Sequence, residues 1–179
     1  MWRGSGGIQD ERGVCVINYQ PMRQKTVLIA ALVFLALLTA SRPGDRGVDL
    51  RDMERDVYKK INAYRAGKGL DQLGWDDRLA DQARVHSVAM ARGKRGFGHG
   101  GFNDRIEATR VQFTSAAENV GQNQGFDDPA DQAVEGWLDS DGHRTNIEGR
   151  YNLTGVGVAR SRNGTLFFTQ IFMLAKQEK

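Results

Sequence analysis

The run from Thr165 to Leu174 is apolar on both faces of a strand, and no other feature limits the fold as strongly. Side chains alternate along a strand, so Leu166, Phe168 and Phe172 point one way while Phe167, Ile171 and Met173 point the other. Neither face tolerates water, so both need cover. A second β-rich run, Leu153 to Ala159, precedes it across Arg162-Asn163-Gly164, and Asn-Gly between such runs signals a hairpin. The expectation is a small antiparallel sheet with helices on both sides.

The helices are legible upstream. Leu50, Met53, Val57, Ile61 and Tyr64 recur at spacings of three and four, the mark of an amphipathic helix, which Gly67 closes. A second helix is predicted from about Asp76 to Arg92, with Leu79, Ala83, His86 and Met90 on one stripe and Gly93 ending it. A short helix over Asn103 to Thr109 is predicted with Asn103 as its cap. Asp128-Pro129 opens another, with Pro129 at the first helical position and Ala130, Ala133, Val134, Trp137 and Leu138 on its buried face; it stops around Ser140-Asp141-Gly142.

The 179 residues suffice for one sizeable domain. From Met22 a basic start at Arg23 and Lys25 leads into an apolar run from Val27 to Leu38 and a small-residue exit at Thr39-Ala40-Ser41. That pattern is a secretory signal over residues 22–40, too short for the roughly 20 residues that span a bilayer; an uncleaved anchor is the alternative. Residues 1–21 lack periodicity and read as a non-native or disordered extension, and 41–51 read as a linker. The single cysteine, Cys15, lies upstream of the signal, so the exported part has neither a disulfide framework nor a thiolate metal site. Residues 1–40 contain four of the 25 basic and two of the 22 acidic groups, leaving 21 against 20. A balance near +1 gives no electrostatic case for nucleic acid.

Three groups stand out as a candidate site: His99 within Gly96-Phe97-Gly98-His99-Gly100-Gly101, Glu118 in Ala117-Glu118-Asn119-Val120, and His143 in Gly142-His143-Arg144-Thr145. All three are expected in glycine-punctuated turns, where a scaffold presents functional side chains. Two neutral imidazoles and a carboxylate suit zinc with a position open for water, but their spacing contains no local metal motif. Residue types alone leave metal ligation and hydrogen-bonded structural roles both open. Glu118 beside Asn119 can equally hold a turn by accepting backbone N–H bonds, and Arg144 can pair with a nearby acid or brace Glu118. His86, on an apolar stripe, reads as a core or groove-edge histidine. A hydrolase of Ser140, His143 and Glu118 can be drawn, but Ser140 at a helix end is explained by capping, and no nucleophile elbow surrounds it.

The ordered set of His99, Ala117-Glu118-Asn119-Val120, Trp137, Gly142-His143-Arg144-Thr145-Asn146-Ile147, Gly155-Val156-Gly157-Val158 and Thr169-Gln170-Ile171-Phe172 resembles the CAP superfamily (cysteine-rich secretory proteins, antigen 5 and pathogenesis-related proteins), in its bacterial SCP-like extracellular branch. The resemblance covers residues 52–175. It implies an α+β fold, a three-layer α-β-α sandwich, with a groove lined by His99, Glu118 and His143 and with Ser140, Asn119 and Arg144 as accessories. A second acid of the fuller pattern is replaced by Ser140, with Asp139, Asp141 and Glu135 as possible substitutes, and Ala117 stands where glycine is usual. The function implied is an exported module at the cell envelope or outside the cell, binding a zinc ion through His99 and His143 or a small ligand or envelope component. Alternatives are a metal-assisted hydrolase of envelope peptides or glycans and a purely structural or interaction domain. No nucleic acid partner is expected, and membrane contact is expected only through an uncleaved signal.

Overall fold

The structure, a computed structural model, describes residues 49–176. The N-terminal extension, the signal, most of the linker and Cys15 lie outside the described residues. Five helices and four strands follow in the order α1 (Leu50–Gly67), β1 (Gly74–Trp75), α2 (Asp77–Ala91), α3 (Phe102–Ala108), β2 (Phe113–Asn123), α4 (Pro129–Asp139), α5 (Asp141–Glu148), β3 (Leu153–Arg160) and β4 (Leu166–Ala175). Among the described residues no helix is long and apolar enough to cross a membrane.

The sheet runs β1-β3-β4-β2. Strands β3 and β4 form the expected antiparallel hairpin, with Gly157 opposite Thr169, and β2 pairs antiparallel with the far side of β4. Strand β1 pairs parallel with β3, so the sheet is mixed rather than purely antiparallel. At two residues β1 is too short to show an alternation in sequence, which is why the reading missed it.

Both faces of β4 are covered as its pattern demands. On one side α1, α4 and α5 bring Val57, Ile61, Val134, Trp137 and Ile147 against Val156, Phe168 and Phe172. On the other, α2 and α3 bring Leu79, Ala83 and Ile106 against Ile171 and Met173. The three-layer sandwich follows. Helix α2 lies directly on β3 because Gly155 and Gly157 have no side chains: a Cβ there would overlap the backbone nitrogens of Ala80 and Arg84. Beyond Thr154 the outer edge of β3 has no neighbouring strand among the described residues, and Glu54 of α1 reaches it, accepting the Val158 N–H at 3.1 Å and two bonds from Arg84 Nε at 2.9 Å. A buried carboxylate thus joins both helical layers at that edge.

Two boundaries differ from expectation. Helix α3 begins one residue early, at Phe102, and its cap is Gly101 at φ 72° with no side-chain bond; Asn103 lies inside the helix. Helix α4 does stop at Asp139, but Ser140 is only a joint, because α5 starts at Asp141.

Candidate functional site

The site lies along β2, the edge strand opposite β1. Of the three expected turn residues only His99 is in a loop: Glu118 is in the middle of β2 and His143 is in the first turn of α5. The correction has a physical basis. Asn119 and Gly121 disguise β2 as a turn in sequence, whereas its ladder with β4 supplies the backbone bonds that make it a strand. Successive residues face opposite ways, so Glu118 turns toward the α2–α3 layer and Asn119 toward the α4–α5 layer.

Glu118 is buried, and its charge is met by Arg105 of α3, also buried. Arg105 Nη2 donates to both carboxylate oxygens at 2.8 Å and Nε donates to Oε2 at 3.0 Å. Arg105 also ties down the loop, donating from Nη1 to the Gly100 carbonyl at 2.7 Å. His99 completes the cluster, its Nδ1 3.1 Å from Glu118 Oε1. A carboxylate at that atom holds the proton on Nδ1 and leaves Nε2 as the ligating nitrogen. The His99 side chain is 55% exposed, in contrast to its partner.

His86 occupies the position its stripe implied. It is buried on α2, with Nε2 2.7 Å from the Gly98 carbonyl, and so pins the other side of the His99 loop. Burial pulls its pKa below the ordinary histidine value; the bond to Gly98 opposes that, and the charge of Arg105 adds to it.

His143 is half-buried, and its Nδ1 is buried without a hydrogen-bond partner. Burial lowers its pKa, and the charge of His99 adds to that. Asn119 locks α5 in place. Its Nδ2 donates to the His143 carbonyl at 3.1 Å, and its Oδ1 accepts from Asn146 Nδ2 at 2.9 Å. His143 also borders a depression of about 310 Å³ with Val120, Phe126 and Trp137.

Other expected participants are placed elsewhere. Arg144 pairs with Asp141 and donates to the Leu138 carbonyl at 2.6 Å, so it braces the α4–α5 joint and not Glu118. Ser140 makes no side-chain cap bond, although its carbonyl accepts the Arg144 N–H at 2.8 Å. Asp141 is committed to Arg144, and Glu135 and Asp139 are exposed, so none of the three binds either histidine. The drawn Ser140–His143–Glu118 relay fails because the Glu118 carboxylate bonds Arg105 and His99, not His143. Arg105, which holds Glu118 and the His99 loop together, was missed by the sequence reading. Its only signal was a position beside Ile106 on a short helix.

These residues fit a metal in a restricted sense. Among the described residues no group of three or more His, Cys, Asp or Glu side chains could hold an ion. With Glu118 engaged by Arg105 and His99, an ion placed here would have only the two imidazoles as donors, with the carboxylate behind His99.

The family model described as the cysteine-rich secretory protein family matches residues 58–172. A membrane protein of Bacillus subtilis, YlbC, is 37% identical over 126 residues, covering 67% of this chain and 34% of its own. Another B. subtilis protein, YkwD, is 30% identical over 122 residues, covering 65% of this chain and 46% of its own. The chain therefore spans between a third and a half of these relatives. An extracellular SCP-domain protein of Bacillus anthracis superposes with a TM-score of 0.58 at 30% identity, over 69% of this chain and 40% of that one. An outer surface protein of Borrelia burgdorferi shares the fold, with a TM-score of 0.64 at 19% identity over 72% of this chain and 97% of that one.

Proposed function

Because the chain belongs to the cysteine-rich secretory protein (CAP) family, we propose that it is an exported binding module whose groove over the β2 edge takes a zinc ion or a small ligand through His99 and His143. The tether from Glu118 to His99 Nδ1 carries this reading. It commits Nδ1 of a solvent-accessible ring to Glu118 and so leaves Nε2 free for a ligand, and the charge of His99 reaches His143, whose own pKa lies below the ordinary histidine value. Neutral imidazole is a good zinc donor, and two of them leave positions for water or a ligand atom. Modest affinity follows from so few donors.

Export rests on the signal at residues 22–40 and on the extracellular setting named for the B. anthracis protein. A hydrolase would depend on the same ion and so comes after it. The structural reading draws on the Arg105–Glu118 pair, which already holds the loop without a ligand.

Calorimetric titration with zinc of the domain beginning at Gly47, and of its His99→Ala, His143→Ala and His86→Ala variants, separates these readings. Binding lost in the first two and kept in the third supports the groove. Equal, weak binding by wild type and both groove variants leaves the residues a structural role alone.

A further inference from the structure

We propose that the cleft between the end of α2 and the β3–β4 hairpin is a binding site for a ligand carrying more than one phosphate group. Its volume is about 1030 Å³, and it is bordered by Arg92 and Lys94 on one wall and by Arg160 and Arg162 on the other. Among the described residues no acidic side chain lines it. Four cations thus border one cleft, from two chain segments some seventy residues apart in sequence.

Seven of the eighteen lysines and arginines among the described residues are held in ion pairs. Arg51, Arg55, Lys60, Arg78, Arg84, Arg105 and Arg144 all pair with carboxylates. Among the described residues, none of the four cleft cations has such a partner. Arg92 and Lys94 offset the negative end of the α2 dipole, which explains basic residues on that wall. It does not explain Arg160, the last residue of β3, or Arg162 in the turn after it.

The backbone beneath both walls is fixed. Gly93 turns the chain at φ 66°, and its N–H bonds the Met90 carbonyl at 2.9 Å, as that of Lys94 bonds Ala89. Across the cleft, the Gln124 side chain donates to the Asn163 carbonyl at 2.8 Å and accepts from Thr165 Oγ1 at 2.9 Å, pinning the hairpin. Binding would therefore order side chains on a backbone already held in place, with no loop-ordering cost added. Phe167 and Gln122 also line the cleft, one apolar and one able to hydrogen-bond. Guanidinium forks match phosphate oxygens in pairs, and the spread of four charges over so large a cleft suits several phosphates better than a single carboxylate. The site is separate from the histidine groove: Gln122 is four residues beyond Glu118 on β2, about 13 Å along the strand.

The same chemistry is offered by a soluble oligophosphate and by clustered lipid headgroups, and the experiment distinguishes them. Residues 49–176 form a compact unit, so the domain beginning at Gly47 is used. It is titrated with inorganic pyrophosphate at low ionic strength and sedimented with phosphatidylcholine vesicles with and without phosphatidylglycerol. Arg160→Ala/Arg162→Ala should weaken pyrophosphate binding at least tenfold by analogy with lost charge-assisted contacts. Arg110→Ala/Arg150→Ala, which removes equal charge outside the cleft, should leave it within about twofold. Arg92→Ala, on the opposite wall, should reproduce the loss without touching the hairpin, and His99→Ala should not. Sedimentation with the anionic vesicles that the cleft variant loses identifies headgroups as the source; pyrophosphate binding without sedimentation identifies a soluble phosphate compound. No pyrophosphate binding, or equal weakening by the cleft and control pairs, overturns the proposal.

Discussion

Arg105 grips Glu118 through three hydrogen bonds of 2.8–3.0 Å, and both side chains are almost wholly withdrawn from water. This pair sets the position of His99, because the same arginine holds the Gly100 carbonyl and the same carboxylate holds the imidazole. Arg105→Met leaves a buried carboxylate without a counter-charge and should cost about 3–5 kcal/mol. Chemical denaturation measures it, and a loss under about 1 kcal/mol would show the carboxylate to be solvated. Glu118→Gln, which keeps an acceptor, should cost less than Arg105→Met.

The contact of α2 with β3 requires the absence of a side chain. Gly157→Ala places a methyl group on the Arg84 backbone nitrogen, and a helix backbone cannot yield as a flexible side-chain tip does. The expected loss is at least about 1–3 kcal/mol, the usual range for overpacking. Gly136→Ala, with nothing within 4 Å of the new atom and a helical backbone, should be neutral or slightly stabilising in the same assay.

Trp137 is 2% exposed and packs against Gly121 within the α1–α4 core. Trp137→Ala should therefore destabilise by about 3–5 kcal/mol in chemical denaturation. An unchanged unfolding midpoint would reassign the indole to the ligand surface.

Acidification should withdraw the stabilisation that His86 and His143 supply, while Glu54, whose pKa burial raises to about 7, gains stability over the same range and opposes it. Burial depresses both histidines' folded pKa values below the 6.5 of the unfolded chain, so the unfolded state takes up protons that the folded state resists. Their stabilising contribution is complete above about pH 6.5 and declines as the pH falls below it, before most carboxylates titrate. Urea midpoints measured from pH 8 to pH 5 test this. The advantage of wild type over His86→Gln should shrink as the pH falls below about 6.5, and a difference that stays constant from pH 8 to pH 5 would contradict it.

Sequence alone determined the periodic elements. The alternation along β4, the helical stripes through Ile61, Ala83 and Trp137, and the Asn163-Gly164 turn are local patterns, and hydrophobic burial leaves them few alternatives. It also marked His99, Glu118 and His143, through their order along the chain. Tertiary structure decided what those residues touch. Nothing near Glu118 in sequence announces that its counter-charge comes from Arg105, thirteen positions upstream, or that Arg144 turns instead to Asp141. The parallel strand β1 likewise exists only because β3 presents an edge to it, since two residues cannot carry a pattern. Side-chain pairing across elements depends on the direction of each strand and helix face in space, and that direction appears only once the sheet and its two helical layers have closed.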